Sequence, residues 1–209
     1  MTLRLHAFGL LAATLLVAPA ATRADDKAKD DNGFVQLFNG KDLDGWEAFD
    51  RTGKQDDFRK NWVVKDGVIH GMGPASHLFV PKGSYKNFVY RAEVKIADKA
   101  NSGMYFRTAK GPGFPKGYEA QVNSTHTDPL RTGTLYNFVP VKKDLVKPDT
   151  WFTQEIEAVG NHITIRVNGE KVVDFKDPKN TFKEGFFAFQ QHDPGSKVQI
   201  RKVEVKELP

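Results

Sequence analysis

The chain has 209 residues, a formal net charge of +5 and no cysteine. Without cysteine it has no disulfides, no thiol nucleophile and no zinc site built on cysteine. The charge is mild and scattered, and no basic run is interleaved with aromatic residues, so we expect no nucleic-acid partner.

The first residues have the pattern of a secretory signal peptide. Arg4 precedes an almost wholly apolar run over residues 7–17, and small residues follow it. The run is too short to cross a bilayer permanently, and retention as an N-terminal anchor is the alternative. We predict a signal peptide over residues 1–24, export to the periplasm or the extracellular space, and no stable membrane span. The charged residues 25–32 predict a disordered leader.

Residues 33–209 predict a single domain made of β-strands. Apolar residues recur at every second position, and clusters of Gly, Pro, Asn and Asp separate the runs, which is typical of a β-sandwich. Sixteen Phe, five Tyr and three Trp suit a packed core. The predicted strands are residues 34–38, 62–65, 68–70, 78–80, 88–96, 103–107, 118–122, 134–138, 152–159, 162–167, 171–175, 186–190 and 198–205.

Local signals specify three features in the C-terminal half. Asn168-Gly169 predicts a type I′ hairpin, and Gly160-Asn161 predicts a turn of the same kind, so residues 152–175 form a three-stranded meander. In the last strand the apolar alternation breaks at Arg201-Lys202, where a β-bulge would restore the inward-facing set.

Two neighbouring runs, Asn-Ser-Gly-Met-Tyr-Phe-Arg and Gly-Tyr-Glu-Ala-Gln-Val, predict a polar face on one sheet. Residues two apart in a strand share a face. Tyr105 and Arg107 would therefore lie beside Glu119 and Gln121, opposite the core. A ring, a guanidinium, a carboxylate and an amide suit a polar, ring-shaped ligand such as a sugar. The simpler interpretation is a solvated outer face.

Histidines and a loop supply further candidates. In residues 185–192 the side chains of Gln190 and His192 would share the face opposite the core, and histidine is the usual general acid or base near neutral pH. A lone His at a strand end is more often a surface residue, and His70 has the same ambiguity. The irregular loop that follows Gln121 holds His126 and Asp128, and such loops often carry function.

Other candidate features favour structural roles or are missing. Trp46, Trp62 and Trp151 could stack on sugars, but Trp is more often partly buried in a sandwich; Trp46 is the least certain of the three. The sequence has no Gly-x-Ser-x-Gly, no P-loop, no Gly-x-Gly-x-x-Gly and no His-Glu-x-x-His motif. Serine-hydrolase, nucleotide-binding and zincin signatures are therefore absent.

Taken together, the motifs resemble the 3-keto-disaccharide hydrolase family. The likeness begins with Gly-Phe-Val-Gln-Leu-Phe-Asn-Gly-Lys-Asp-Leu-Asp-Gly-Trp at residues 33–46 and continues, in order, through residues 66–71, 101–107, 117–121, 132–136, 185–192 and 198–208. The resemblance implies a concanavalin/laminin-G-like double-sheet β-sandwich, or jelly roll. The sequence departs from the family pattern at Asn123, Gln191 and Asp193-Pro194.

The resemblance implies a carbohydrate-active enzyme that cleaves 3-keto-glycosides. A ketone at C3 acidifies the C2 proton, a base removes it, and the C3 oxygen becomes an enolate that needs stabilisation. Collapse of the enolate expels the C1 oxygen, and water then adds to the enone. The implied catalytic residues are Glu119 or His192 as the base, Arg107 at the enolate and Tyr136 at the leaving oxygen.

The implied substrate-binding residues are Gln121 and Gln190, and Tyr105 and His70 are further candidates. The expected partner is a sugar, and the oligomeric state stays open.

A divalent metal held by Glu119 and His192 would be another means of stabilising the enolate, and no other cofactor is expected. Two rival functions remain. One is a non-catalytic carbohydrate-binding β-sandwich module. The other, which is weaker, is a laminin-G-like adhesion domain that binds protein through its loops.

Overall fold

The structure is a computed structural model that describes residue 30, residues 32–53 and residues 57–209. The predicted signal peptide lies outside these residues, as does most of the predicted leader. Near the end of that leader, the Asp30 carboxylate accepts hydrogen bonds from the backbone N–H groups of Asn32 (2.9 Å) and Phe34 (2.8 Å). Asp30, which lies in the segment predicted as a leader, is therefore hydrogen-bonded to the start of the domain. In the described part of the chain, no helix is long and apolar enough to cross a membrane.

The described residues form thirteen strands and a short 3₁₀ helix at Phe58–Lys60. The strands are β1 (Val35–Gln36), β2 (Glu47–Phe49), β3 (Trp62–Lys65), β4 (Val68–Gly71), β5 (Ser76–Phe79), β6 (Phe88–Ile96), β7 (Asn101–Thr108), β8 (Tyr118–Asn123), β9 (Phe152–Val159), β10 (His162–Val167), β11 (Glu170–Lys176), β12 (Phe186–Gln191) and β13 (Val198–Glu207).

The strands form two antiparallel sheets that pack as a concanavalin/laminin-G-like β-sandwich. The larger sheet has eight strands in the order β11-β10-β9-β6-β13-β4-β3, with β1 pairing along β13. The smaller sheet has the order β2-β5-β12-β7-β8. This all-β jelly roll confirms the predicted fold class.

Aromatic rings fill the core between the sheets. The Phe187 ring of β12 stacks on Tyr90 of β6, with ring centroids 4.0 Å apart, and on Tyr85 at 4.3 Å. The ring of Phe88 meets Phe187 edge-on at 4.8 Å. Burying rings of this size contributes much of the stability of a core that has no disulfide.

The outer faces of the two sheets differ. Along β6 every second residue is buried, so the outer face of the larger sheet meets solvent. Every residue of β7 and β8 is buried. Loops therefore cover the outer face of the smaller sheet, which is the face that the sequence predicted to be polar.

The C-terminal half confirms most of the predicted local features. Asn168 and Gly169 both have positive φ (51° and 83°), as a type I′ turn requires. At the other turn only Gly160 has positive φ (56°), which is the pattern of a type II′ turn rather than the predicted type I′. Lys202 has φ 48° at a register shift between β13 and β6, so the predicted bulge is confirmed.

The strands differ from the predicted ones in three places. Residues 134–138 form no strand; Leu135 makes only isolated bridges to Ala120 and Val139, because the chain turns at Asn137 with φ 64°. The predicted strand 34–38 is shortened to β1, and the three-residue β2 was missed because it is too short to show a period.

The three tryptophans lie outside the smaller sheet's outer face. Trp46 and Trp62 are buried, and Trp62 donates its indole N–H to Ser76 Oγ at 3.0 Å. Trp151 packs against the Arg201 guanidinium, 4.2 Å from the ring centroid, on the larger sheet. None of them serves as a platform on the predicted polar face.

Arg107 does not lie on the predicted polar face. Phe106 and Arg107 together oppose Phe187 of β12, and Arg107 has φ 49°, so a β-bulge redirects its side chain. The buried guanidinium donates to three backbone carbonyls, those of Lys86 (2.6 Å), Gly160 (2.7 Å) and Phe182 (3.2 Å). Arg107 therefore ties three loops together instead of facing a ligand.

We predict that Arg107→Met lowers the free energy of unfolding by roughly 3 kcal/mol, because the buried guanidinium and its hydrogen bonds to three backbone carbonyls are lost. Urea unfolding measures the change. The matched control is Arg166→Met, since Arg166 forms partly exposed ion pairs with Glu155 and Glu157 and should lose less than about 1 kcal/mol. Equal, small losses of unfolding free energy in both variants would contradict the view that Arg107 ties the three loops together.

Candidate active site

A cleft of about 590 Å³ opens on the outer face of the smaller sheet. Its floor consists of Tyr105 from β7, Glu119 and Gln121 from β8, and Gln190 from β12. Loops supply its walls, which include Phe114, Lys116, Asp128, Tyr136, Phe182 and His192.

The Glu119 carboxylate is the most unusual group of the floor. Tyr105 and Glu119 are directly paired across β7 and β8, and the Tyr105 hydroxyl donates to Glu119 Oε2 at 2.7 Å. Only 8% of Glu119 is exposed. Burial, which is the largest effect, and the charge of Asp128 raise the pKa of Glu119 to about 7, although the hydrogen bond from Tyr105 lowers it. A carboxyl group with this pKa is suited to accept or return a proton near neutral pH.

Gly103 makes room for this carboxylate. Gly103 lies on β7 opposite Gln121, two residues before Tyr105. A Cβ atom at Gly103 would lie 2.9 Å from Glu119 Cδ and closer still to Oε1. A larger residue would therefore push the carboxylate off its position against Tyr105.

Neighbouring side chains hold Tyr105 in place. Gln190 Nε2 donates to the Tyr105 hydroxyl at 3.2 Å, and the His77 ring meets the Tyr105 ring edge-on, 5.0 Å between centroids. Burial, with a smaller effect of His192, lowers the pKa of His77 to about 3, so this ring is neutral. Burial and Glu119 raise the pKa of Tyr105 above its usual range, so the hydroxyl remains a donor.

Two features of the cleft suit a ligand rather than the protein itself. Gln190 Oε1 is buried and has no hydrogen-bond partner among the described residues. Phe114 is 60% exposed although it lines the cleft. An acceptor without a partner and an open aromatic face are the groups that bind a sugar hydroxyl and a sugar ring.

At the rim, His126, His192 and Asp193 have metal-binding chemistry, and their ligand atoms lie within 4.8 Å of one another. However, the Asp128 N–H donates to His126 Nδ1 at 3.1 Å, so the neutral ring carries its proton on Nε2. That atom faces Asp193 Oδ2 at 3.9 Å. Asp193 thus lies between the two histidines, hydrogen-bonded to His192 at 2.7 Å and in longer contact with His126. Glu119 is not in this group, and a metal held by Glu119 and His192 stays a prediction.

The cleft brings together most of the predicted site residues. Those that line it are Tyr105, Glu119, Gln121, Tyr136, Gln190 and His192. Arg107 is not among them, for the reason given above. His70 is not either, because β4 belongs to the larger sheet, where Gln199 Nε2 lies 3.0 Å from His70 Nδ1. Placing both residues at the site was wrong.

Sequence reasoning missed several groups in or next to the cleft, among them His77, which contacts Tyr105, and the wall residues Phe114 and Lys116. His77 belongs to β5, whose four residues are all buried, so no alternation marked it. Phe114 and Lys116 stand in the turn-rich segment before β8, where no period predicts direction. The only available signal was the position of this segment at the end of a strand with polar residues.

We predict that Tyr105→Phe raises the pKa of Glu119 by roughly 1 pH unit, since the lost hydrogen bond stabilised the charged carboxylate. Glu119 would then need a higher pH to ionise. Carboxyl ¹³C NMR titration measures the midpoint. Tyr118→Phe is the control, because Tyr118 donates to Asp177 Oδ2 at 2.5 Å outside the cleft. A midpoint that stays at about 7, or falls, in Tyr105→Phe would contradict this description of the site.

Two solved structures of other proteins are similar to this chain in fold. A structure of a candidate glycosyl hydrolase from Parabacteroides distasonis ATCC 8503 is 27% identical, with a TM-score of 0.73, over 88% of this chain and all of that chain. The carbohydrate-binding module CBM66 of Bacillus subtilis shares the fold, with 19% identity and a TM-score of 0.56 over 78% of this chain and 96% of its own. No curated protein matches the sequence. Residues 33–206 match the model of the 3-keto-alpha-glucoside-1,2-lyase-like domain, so the chain belongs to this carbohydrate-related family.

Proposed function

We propose that this protein cleaves 3-keto-glycosides by elimination across C1 and C2, followed by hydration. The observation that supports this most strongly is the buried Glu119 carboxylate, with a pKa of about 7, on the floor of the cleft. A neutral-pH base in a protected cleft is what abstraction of a carbon-bound proton requires.

Glu119 would start the reaction. Its carboxylate takes the C2 proton, and the electron pair moves onto the C3 oxygen to give an enolate. When the ketone re-forms, the C1–O bond breaks and a C1–C2 double bond remains. Water then adds at C1 and gives up one proton, which replaces the proton that the leaving oxygen took up, and Glu119 returns a proton to C2. The ketone is essential, because it alone makes the C2 proton acidic.

The enolate oxygen needs a donor, and Arg107 is not available for this role. Tyr136 lines the cleft, and burial, with the charges of Asp128 and Glu119, raises its pKa. The hydroxyl therefore keeps its proton and can donate to an anionic oxygen. Lys116, an exposed cation on the wall, adds favourable charge.

Sugar binding would use the remaining groups. Gln121 donates to Asp128 Oδ2 at 3.4 Å, which leaves its amide oxygen for a hydroxyl. Gln190 Oε1 accepts from a second hydroxyl, and Phe114 offers its open ring.

A binding module could use these groups too. What favours an enzyme is Glu119, because binding alone gains nothing from a carboxylate whose burial opposes its ionisation. An adhesion domain would not need this cleft. Export, inferred from the N-terminal residues, stays part of the proposal.

We predict that the wild-type protein releases sugar from a 3-keto-disaccharide but not from the unoxidised parent, and that Glu119→Gln slows release about 10²- to 10⁴-fold. Product chromatography measures both rates. Glu155→Gln is the matched control, since Glu155 pairs with Arg166 on the larger sheet. Repeating the assay with a chelator tests the predicted divalent metal.

Three results would contradict the proposal. Cleavage of the parent sugar would indicate glycosidase chemistry, for which Asp128 could be a second carboxylate. Binding without cleavage would leave the binding module. Full activity in Glu119→Gln would show that Glu119 is not the base.

A further inference from the structure

The rim of the cleft holds a carboxylate between two histidines. Asp193 Oδ2 lies 2.7 Å from His192 Nδ1 and 3.9 Å from His126 Nε2, and the two rings are 5.3 Å apart. His192 lines the same cleft as Glu119. In the proposed function Glu119 carries the C2 proton, whereas the two histidines and Asp193 have no role.

We propose that Asp193 is a positioning residue that fixes the tautomer of His192, so that His192 Nε2 exchanges protons with the oxygens that leave and enter at C1. This inference rests on the proposed function, whereas the tautomer itself can be measured without any substrate.

The tautomer follows from the acceptor. A carboxylate only accepts hydrogen bonds, so the 2.7 Å contact places the proton of the neutral His192 ring on Nδ1. Nε2 then carries the lone pair. His126 points its own Nε2 proton toward the same carboxylate, because the Asp128 N–H occupies His126 Nδ1. Both rings therefore direct a donor at Asp193.

The Asp193 carboxylate is itself held in one orientation. Its Oδ1 accepts from the N–H groups of Gly195 (2.7 Å) and Ser196 (3.0 Å). Its Oδ2 accepts from the Ser196 hydroxyl at 2.9 Å, and Ser196 Oγ accepts from the Asn101 N–H at 2.9 Å. Because two backbone donors hold Oδ1, Oδ2 is the oxygen that faces His192.

The chemistry at C1 needs such a group twice. When the C1–O bond breaks, the leaving oxygen takes a proton from Nε2 of the protonated His192 ring, which becomes neutral. When water attacks C1, the same Nε2 takes a proton from that water, and Glu119 returns its proton to C2. Both residues end in their starting states. Asp193 stabilises the His192 ring while it is charged, and it keeps Nε2 toward the cleft while the ring is neutral.

The decisive variant is Asp193→Asn. Its amide oxygen should take the place of Oδ1, since only an acceptor suits the Gly195 and Ser196 N–H groups. The NH₂ group then replaces Oδ2 and donates to His192 Nδ1. We expect the neutral His192 ring to change from the Nδ1–H to the Nε2–H tautomer, seen by ¹⁵N–¹H NMR at a pH where both rings are neutral. We also expect kcat to fall about 10²- to 10⁴-fold with KM little changed.

The matched control is Asp174→Asn. Asp174 Oδ1 lies 2.6 Å from His162 Nε2 in the same kind of pair, but on the larger sheet, which does not supply the cleft floor. It should leave the His192 signals and the activity unchanged. If Asp193→Asn does not fold, Asp193→Ala serves instead, and its His192 ring should lose the preference for Nδ1–H.

Four results would overturn the inference, and a fifth would overturn only the proposed function. The wild-type ring could be in the Nε2–H form, or the tautomer could be the same in Asp193→Asn. Added Mn²⁺ could broaden the signals of both histidines at micromolar concentration, which would identify a metal site. The tautomer could change while kcat does not. If wild type cleaves no keto-sugar yet shows the Nδ1–H form that Asp193→Asn reverses, the proposed function fails and the positioning by Asp193 stands.

Discussion

The hydrogen bond from Tyr105 to Glu119 holds a carboxylate where its charge is poorly solvated, and the site depends on this contact. Burial raises the pKa of Glu119, whereas the 2.7 Å hydrogen bond stabilises the ionised form and lowers it. Burial is the larger effect, so the pKa lies at about 7, above the ordinary value for a glutamate. Gly103 permits the contact by leaving space for the carboxylate, and Gln190 and His77 hold the tyrosine.

The sandwich provides the rigid floor that this contact needs. The inner face of the smaller sheet packs its aromatic rings against the larger sheet, so the backbone pairing of β7 with β8 is held from below. Loops cover the outer face, and Arg107 ties the loop that holds Phe182, a wall of the cleft, to the carbonyls of Lys86 and Gly160. Arg107, which the family resemblance placed at the enolate, thus supports the cleft from outside by holding a loop of its wall in place.

The sequence predicted the fold and the cleft floor well, because both follow from a period of two. Tyr105, Glu119 and Gln121 were placed on one face from alternation alone. Alternation placed Arg107 on the same face, and this was wrong, since a bulge depends on the partner strand and leaves no mark in its own run. His70 was misplaced because strand pairing, not local pattern, decides which sheet holds β4. The Asp193 contact to His192 arises from a loop turn, where no period applies.

Loss of the C2 hydrogen is the central event of the proposed reaction, and one label reports it. A 3-keto-disaccharide carrying deuterium at C2 would be cleaved in ordinary water, and the released sugar analysed by mass spectrometry. Incubation with Glu119→Gln corrects for loss of label without the enzyme's base. The proposed elimination predicts released keto-sugar that has lost its deuterium to solvent or, where Glu119 returns the same deuteron to C2, release that is slower than from the unlabelled substrate. Released keto-sugar that keeps its deuterium in full, formed at the same rate as from the unlabelled substrate, would contradict it and would indicate direct displacement at C1.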